Sequence, residues 1–485
     1  AVAGNLAVQN NSSVEAQSGD VQGNAGTDIL LQNVVDILAF GNVLLAAGND
    51  ITQFNDADVT ATNGHVDMDA GINITIDTLS NIVAGTYVSM LAATGFVRVT
   101  TTSSVRAQNG SVTGLAGTDL ELLDDSEILG FTDVTLDARN NLTVDSSGIG
   151  STTSNVTAET GDILLTAGDD IFISRTAVIE TQDLDYDGTS DRQNTLTILG
   201  DYGDTDIGDG TSILIEGRIL GQNVLVAGAE DADTIEFRNM VELVGHTQIE
   251  GRGDEDAIII DRQPNLTTAH NRPNHELADG SNGAVQDTID IDGGDATDRV
   301  TINITGGETA YIINVVDSGA ENDGADELTI NGTAGDDTFL LRRSFVAYLN
   351  QTGEVDQFGR PEYATAVERI NYDRSVNGRL TVSSHEGNDE FYVDDNSAIT
   401  TLDGGEGLDL FQVGQVFGSN PNGYYFDSAT GEKVYVDPRE IDLGYKSGEG
   451  FDTVLGLSYQ EFTDDKGTPD IADDEVRLVY ERSVG

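Results

Sequence analysis

The residues best suited to chemistry in this chain are aspartates, and they fall into two patterns. The first is Asp183-x-Asp185-x-Asp187-Gly188-x-x-Asp191, with acids at loop positions 1, 3, 5 and 9 and glycine at 6. A hard divalent cation such as calcium takes about six to eight oxygens, and a loop of this spacing wraps one ion. Position 12 is Asn194, so the bidentate ligand that would complete such a loop is missing and weakened affinity is expected. The alternative is a solvated acidic turn. In the second pattern, apolar bursts are separated by glycine-rich turns that close on an aspartate: Asp233, Asp256, Asp298, Asp326, Asp337, Asp389, Asp409 and Asp452. The fullest copy runs Leu402-Asp403-Gly404-Gly405-Glu406-Gly407-Leu408-Asp409-Leu410-Phe411, which adds Asp403. Such turns either bind calcium between neighbouring chain segments or simply use Gly and Asp to turn tightly.

Other chemistry finds little support. The five histidines are His65, His246, His270, His275 and His385, and only His270 and His275 lie near each other. No Ser-His-Asp order, phosphate loop or His-Glu-x-x-His occurs. The basic residues are scattered; Arg342-Arg343 is the one pair, and it is expected to offset nearby acids. Clustered aspartates do serve inverting glycosidases, so a calcium-dependent enzyme acting on polysaccharide stays as the second reading. Arg252-Gly253-Asp254 lies inside an acidic turn, and turn chemistry accounts for it.

The charge balance narrows the partners. There are 85 acidic and 23 basic residues, a formal net charge of −62, and only three lysines, Lys433, Lys446 and Lys466. That excludes a basic footprint for nucleic acid and disfavours anionic membrane surfaces. Self-repulsion on this scale asks for offsetting cations. A salt-loving host would give the same bias, which leaves a surface-layer protein of a halophile as a third reading. Cysteine is absent, so disulfides and thiolate sites are excluded. No run of about 18 apolar residues is present, so no membrane insertion by a helix is expected. The chain starts without Met, as a processed chain or a piece of a larger one would.

The element that must position these aspartates is a repeat. Gly19-Asp20-Val21 with Gly26-Thr27-Asp28-Ile29 returns at Gly41-Asn42-Val43 with Gly48-Asn49-Asp50-Ile51, and again at Gly64-His65-Val66 with Gly71-Ile72-Asn73-Ile74. The period is about 22–23 residues, with further copies at Gly110, Thr132-Asp133-Val134 and Gly161-Asp162-Ile163. A fixed period of this size means one supersecondary unit stacking on its neighbours. Inside each copy apolar residues alternate in short β-branched bursts cut by Gly, Asn and Asp, which predicts strands and turns. The fold class is therefore all-β: a right-handed parallel β-helix, or β-solenoid, with about three short strands per coil and interior columns of Ile, Val, Leu and Ala. Asn at equivalent turns, such as Asn49 and Asn73, is expected to stack in amide ladders. Beyond about residue 183 the spacing becomes irregular, so the coils there carry loops, the largest at 262–285 and 343–379.

Residues 19–173 resemble the repeats of filamentous haemagglutinin-like and other large secreted adhesins. Residues 226–457 resemble the Gly-Gly-x-Gly-x-Asp-x-apolar repeats of repeats-in-toxin proteins, in which turn carbonyls and aspartates of adjacent coils sandwich calcium. That family repeats every nine residues without interruption, which this chain does not, so isolated calcium turns on a wider β-helix are the expectation. The 183–194 segment is similar to an EF-hand loop without flanking helices. Three segments follow: a regular β-helix over 1–180, a β-helix with acidic turns and loops over 181–345, and a β-rich region over 346–485 that caps the stack or joins a further unit. Together these features imply a non-enzymatic, calcium-stabilised solenoid that is secreted or at the cell surface. It would serve as adhesin stalk, matrix or filament subunit, self-associating end to end and touching cell-surface glycans or matrix.

Overall fold

Regular structure among the described residues consists of β-strands alone. The computed structural model describes residues 4–146, 153–181, 194–203, 208–238, 243–261, 287–307, 311–320, 323–355, 361–364, 367–394 and 396–413, and the strands Tyr424–Phe426, Lys433–Tyr435, Thr453–Val454, Leu457–Asp464 and Glu475–Arg482. The chain forms two compact units, Ala1–Asp295 and Ala296–Gly485.

In the first unit each coil contributes one strand to each of three parallel ladders, and the sequence repeat is the reason. Residues one period apart occupy the same place in successive coils. In the first ladder Ile29, Ile51, Ile74, Val97, Leu120, Leu142 and Ile171 pair in register, and every one of them is buried. The second ladder aligns Ala39, Ala61, Ala84 and Ala107 at its strand ends. The third aligns Val43, Val66, Val88, Val112, Val134 and Ile163, and closes on Ala47, Ala70, Ala92, Ala116 and Ala138. The chain is thus a parallel β-solenoid whose interior consists of like-on-like apolar columns. Each buried Val, Leu or Ile contributes roughly 1.5–3 kcal/mol, so the columns supply the main cohesion between coils.

The corners explain the polar letters of the repeat. Between first- and second-ladder strands two consecutive residues adopt left-handed backbone: Asn10-Asn11, Asn33-Val34, Asn55-Asp56, Thr78-Leu79, Thr101-Thr102 and Asp124-Asp125. At another corner Gly71 stacks on Gly48 and Gly48 on Gly26, and a Cβ on the upper residue would fall on the carbonyl oxygen of the lower. The amide ladder forms at the left-handed corner: Asn33 Nδ2 donates to Asn10 Oδ1 (3.2 Å) and Asn55 Nδ2 to Asn33 Oδ1 (3.0 Å). This corrects the expectation for Asn49 and Asn73. They lie in different columns, and Asn73 donates instead to Asp50 Oδ1 at 3.0 Å.

Further along the unit the cross-section changes. Strand Arg218–Ala227 is ten residues long and serves two ladders at once. Arg218–Leu220 pairs with the second-ladder strand Val178–Thr181, and Asn223–Ala227 pairs with the third-ladder strand Thr195–Leu199. The register shifts at Leu220/Asn223 in its pairing with Leu243–Arg252. Two short strands and their corner have fused into one, while the first ladder keeps its spacing from Ile213 to Ile235 to Ile258.

The second unit keeps a parallel ladder, Arg299–Asn303, Glu327–Asn331, Arg379–Ser383 and Thr400–Asp403. Opposite it, Thr338–Arg342, Glu390–Val393 and Leu410–Val413 pair in parallel and stack Phe339, Phe391 and Phe411, with ring centroids 5.6 and 5.0 Å apart. The segment expected to be a loop at 343–379 contains strands. Phe345–Tyr348 runs antiparallel between Thr338–Arg342 and Glu368–Tyr372, and Gln351–Val355 pairs with Pro361–Tyr363 as a hairpin. The loop expected at 262–285 lies outside the described residues.

Candidate functional site

The acidic turns share one construction. Each motif aspartate is the residue immediately before a strand: Asp233 before Thr234–Phe237, Asp256 before Ala257–Ile260, Asp298 before Arg299–Asn303, Asp326 before Glu327–Asn331, Asp337 before Thr338–Arg342, Asp389 before Glu390–Val393 and Asp409 before Leu410–Val413. The first six are buried, at most 4% exposed, and Asp409 is half-buried. Buried carboxylates need hydrogen-bond partners, and the backbone supplies them. Within the first unit Asp233 Oδ1 accepts from Thr211 N (2.6 Å) and Asp256 Oδ1 from Asp233 N (2.7 Å). Within the second unit Asp326 Oδ1 accepts from Asp298 N (3.1 Å), Asp389 Oδ1 from Asp337 N (2.7 Å) and Asp409 Oδ1 from Asp389 N (3.1 Å). Each of these five carboxylates reaches back to a backbone amide in an earlier coil.

The second carboxylate oxygen folds over the turn that carries it. Asp233 Oδ2 accepts from Ala229 N (2.7 Å), and Asp337 Oδ2 accepts from Thr333 N (2.7 Å) while its Oδ1 takes the Thr333 hydroxyl (2.7 Å). That explains the glycine five residues earlier. A Cβ on Gly228, Gly251, Gly332 or Gly404 would coincide with Oδ2 of Asp233, Asp256, Asp337 or Asp409. Burial raises the carboxyl pKa of both Asp233 and Asp337 above the ordinary value, and the hydrogen bonds from Thr211 and Ala229, or from Thr333, oppose the rise. The Tyr348 phenol, half-buried beside Asp337, is pushed up to about 12, by desolvation first and then by the Asp337 charge.

Not every predicted ligand joins these ladders. Asp403 is exposed, and among the described residues its Oδ1 accepts only from Gly405 N (3.1 Å). Asp183, Asp185, Asp187, Asp191 and Asp452 lie outside the described residues. Arg342 pairs with Asp394 at 2.7 Å, as expected of a base offsetting nearby acid. Arg252 and Asp254 both have left-handed backbone, and Arg252 pairs with Glu250 at 3.0 Å, so the tripeptide there serves its turn.

Among the described residues one set of three acids offers oxygens all within 4.8 Å of one another: Asp298, Asp317 and Asp326. Asp298 and Asp326 are 2% and 4% exposed, and Asp317 is half-buried. Oδ2 of Asp326 is buried with no hydrogen-bond partner among the described residues. Sequence reasoning missed Asp317 because it stands outside the Gly-to-Asp frame, directly after strand Tyr311–Val316. Its signal was a strand ending in Val316-Asp317-Ser318-Gly319, an acid where the chain turns.

No protein-family model, curated protein or solved structure matches this chain.

Proposed function

We propose that the chain is a non-enzymatic extracellular structural protein, a cation-stabilised β-solenoid that serves as an adhesin stalk, matrix or filament subunit. The observation that carries this reading is the unbroken parallel register of the first ladder in the first unit. One apolar column runs from Ile29 through Ile51, Ile74, Val97, Leu120, Leu142, Ile171, Ile213 and Ile235 to Ile258. A solenoid of this kind invests its sequence in length and stiffness, since each coil contacts only its neighbours. The carboxylates outside the buried columns keep such a rod soluble at a net charge of −62.

Calcium is the cation proposed, because oxygen-only donors suit a hard divalent ion. The partners proposed are a further copy stacked end to end, and surface glycans or matrix. A coil at the end of a stack presents unpaired backbone, and a second coil completes it. Head-to-tail contacts of that type do not close, so they generate filaments. Two measurements test the reading together. Electron microscopy in millimolar calcium should show rods joined end to end. A panel of neutral and acidic glycans should show binding without turnover. Turnover abolished by a single Asp→Asn change would replace the structural reading with a polysaccharide-active enzyme.

A further inference from the structure

We infer that Asp298, Asp317 and Asp326 together hold one calcium-type divalent cation, which ties the end of one strand to the starts of two others within the second unit. This deepens the cation-stabilised reading above and rests on it. Asp298 and Asp326 open the neighbouring parallel strands Arg299–Asn303 and Glu327–Asn331. Asp317 closes Tyr311–Val316, whose partner is Glu368–Tyr372 in the opposite sheet. The three therefore converge from two sheets, with oxygens within 4.8 Å of one another.

Two features point to a ligand rather than to a fortuitous gathering of acids. Asp326 is 4% exposed, and its Oδ2 is buried with no hydrogen-bond partner among the described residues, although its Oδ1 is engaged by Asp298 N. A buried carboxylate oxygen left in that state is costly unless an ion completes it. The second feature is size. Calcium binds oxygens at about 2.3–2.6 Å, so ligands on one ion stand no more than about 5 Å apart, and each of the three carboxylates can offer an oxygen inside that limit. With no imidazole or thiolate in the set, zinc is disfavoured. A single turn braces the cluster from behind: Asp317 N donates to Ser375 Oγ (2.9 Å) and Asp326 N to Asn377 Oδ1 (3.1 Å). The sites expected from the repeat would use only the aspartates of the Gly-to-Asp turns. Here the third ligand, Asp317, comes from outside that frame.

The test uses the full chain stripped of metal. Calcium alone is titrated by calorimetry, with native mass spectrometry counting ions per chain, for the wild type, Asp317→Asn and Asp403→Asn. Asp317 is the informative position, since it stands outside the Gly-to-Asp frame and follows strand Tyr311–Val316. The expected result is one ion fewer for Asp317→Asn and an unchanged count for Asp403→Asn. Calcium-dependent exchange protection over residues 296–331 should be lost with that ion. Asp317→Glu, which keeps the charge but displaces the oxygen, should also weaken that ion, and it carries the test should Asp317→Asn fold poorly. An Asp317→Asn chain that binds as many ions as the wild type, with the same protection, overturns this site while leaving calcium dependence elsewhere intact. A wild type that takes up no calcium at millimolar concentration overturns both readings.

Discussion

The early coils and the acidic turns both lay side-chain oxygens along the stack, but they point them in opposite directions. In the early coils an acceptor serves the following coil: Asp20 Oδ1 accepts from Asn42 N (2.7 Å), Asn42 Oδ1 from His65 N (3.1 Å), and Asp133 Oδ1 from Asp162 N (3.0 Å). In the acidic turns the acceptor serves the preceding coil, as Asp256 does for Asp233 and Asp389 for Asp337. The two senses meet within the first unit at adjacent residues. Ser212 N donates back to Asp170 Oδ1 (3.0 Å), and Thr211 N donates forward to Asp233 Oδ1 (2.6 Å). The difference teaches what each position demands. Where a single side-chain oxygen that is at least partly open to solvent does the accepting, Asp and Asn alternate freely, as in Asp20 and Asn42, Asp50 and Asn73, or Asp119 and Asn141. Where both oxygens are buried against N–H groups, only a carboxylate has the acceptors, and Asp233 is of this kind.

The sharpest way to break that comparison is the same substitution in both regions. In Asp233→Asn the new amide NH2 would face the N–H of Thr211 or of Ala229, and the loss of a charge-assisted, buried network costs about 2–3 kcal/mol. Asp133→Asn, exposed and singly accepting, should stay within about 0.5 kcal/mol of the wild type. Urea unfolding of both variants in chelator measures this, and equal costs would mean that the two ladders are energetically alike.

Calcium removal separates the regions next. Ions that bind only the folded state stabilise it by mass action, about 2.7 kcal/mol at a hundredfold excess over Kd. Chelator should therefore lower exchange protection over 296–413 and leave residues 19–146 nearly unchanged. Equal loss in both stretches would count against placing the ions in the acidic turns.

The fold was legible because the repeat carries its own register. Gly41-Asn42-Val43 and Gly64-His65-Val66 align letter by letter, and the structure pairs Val43 with Val66. The aspartates were legible as a set, since the Gly-to-Asp spacing is a steric requirement of the folded turn. Two things were hidden. Gly221-Gln222 looks like a turn but lies inside the fused strand Arg218–Ala227, because pairing with two ladders outweighs local turn propensity. Asp317 was hidden because its neighbours in space, Asp298 and Asp326, are set by topology and not by spacing along the chain.

Acid gives the next contrast. Asp233 and Asp337 have raised carboxyl pKa values, so above the ordinary 3.8 the native state holds protons that the unfolded chain has released. Stability then falls as pH rises through that window and is greatest below it. In chelator the melting temperature should be higher at about pH 4.5 than at about pH 7.5, the reverse of ordinary acid denaturation. A decline on going to pH 4.5 would show that these carboxyls are better satisfied as anions. With calcium present the gain should shrink, because protons and ions compete for carboxylate oxygens.

The smallest expected effect lies in the early coils and concerns backbone rather than charge. The left-handed corner is filled by Asn10-Asn11 in one coil and by Asn33-Val34 in the next, with φ of 57° at Val34. A β-branched residue is poorly suited to that region, whereas asparagine tolerates it. Val34 is 48% exposed, so its side chain contributes modest burial to set against the backbone cost. Val34→Asn should therefore raise stability by about 1 kcal/mol, and it places an amide beside the Asn10–Asn33–Asn55 ladder. Thermal unfolding in chelator isolates this gain from anything the acidic turns contribute. If Val34→Asn is neutral or destabilising, the corner is held by contacts of the valine side chain, and the left-handed pair is a consequence of packing rather than a strain the repeat tolerates.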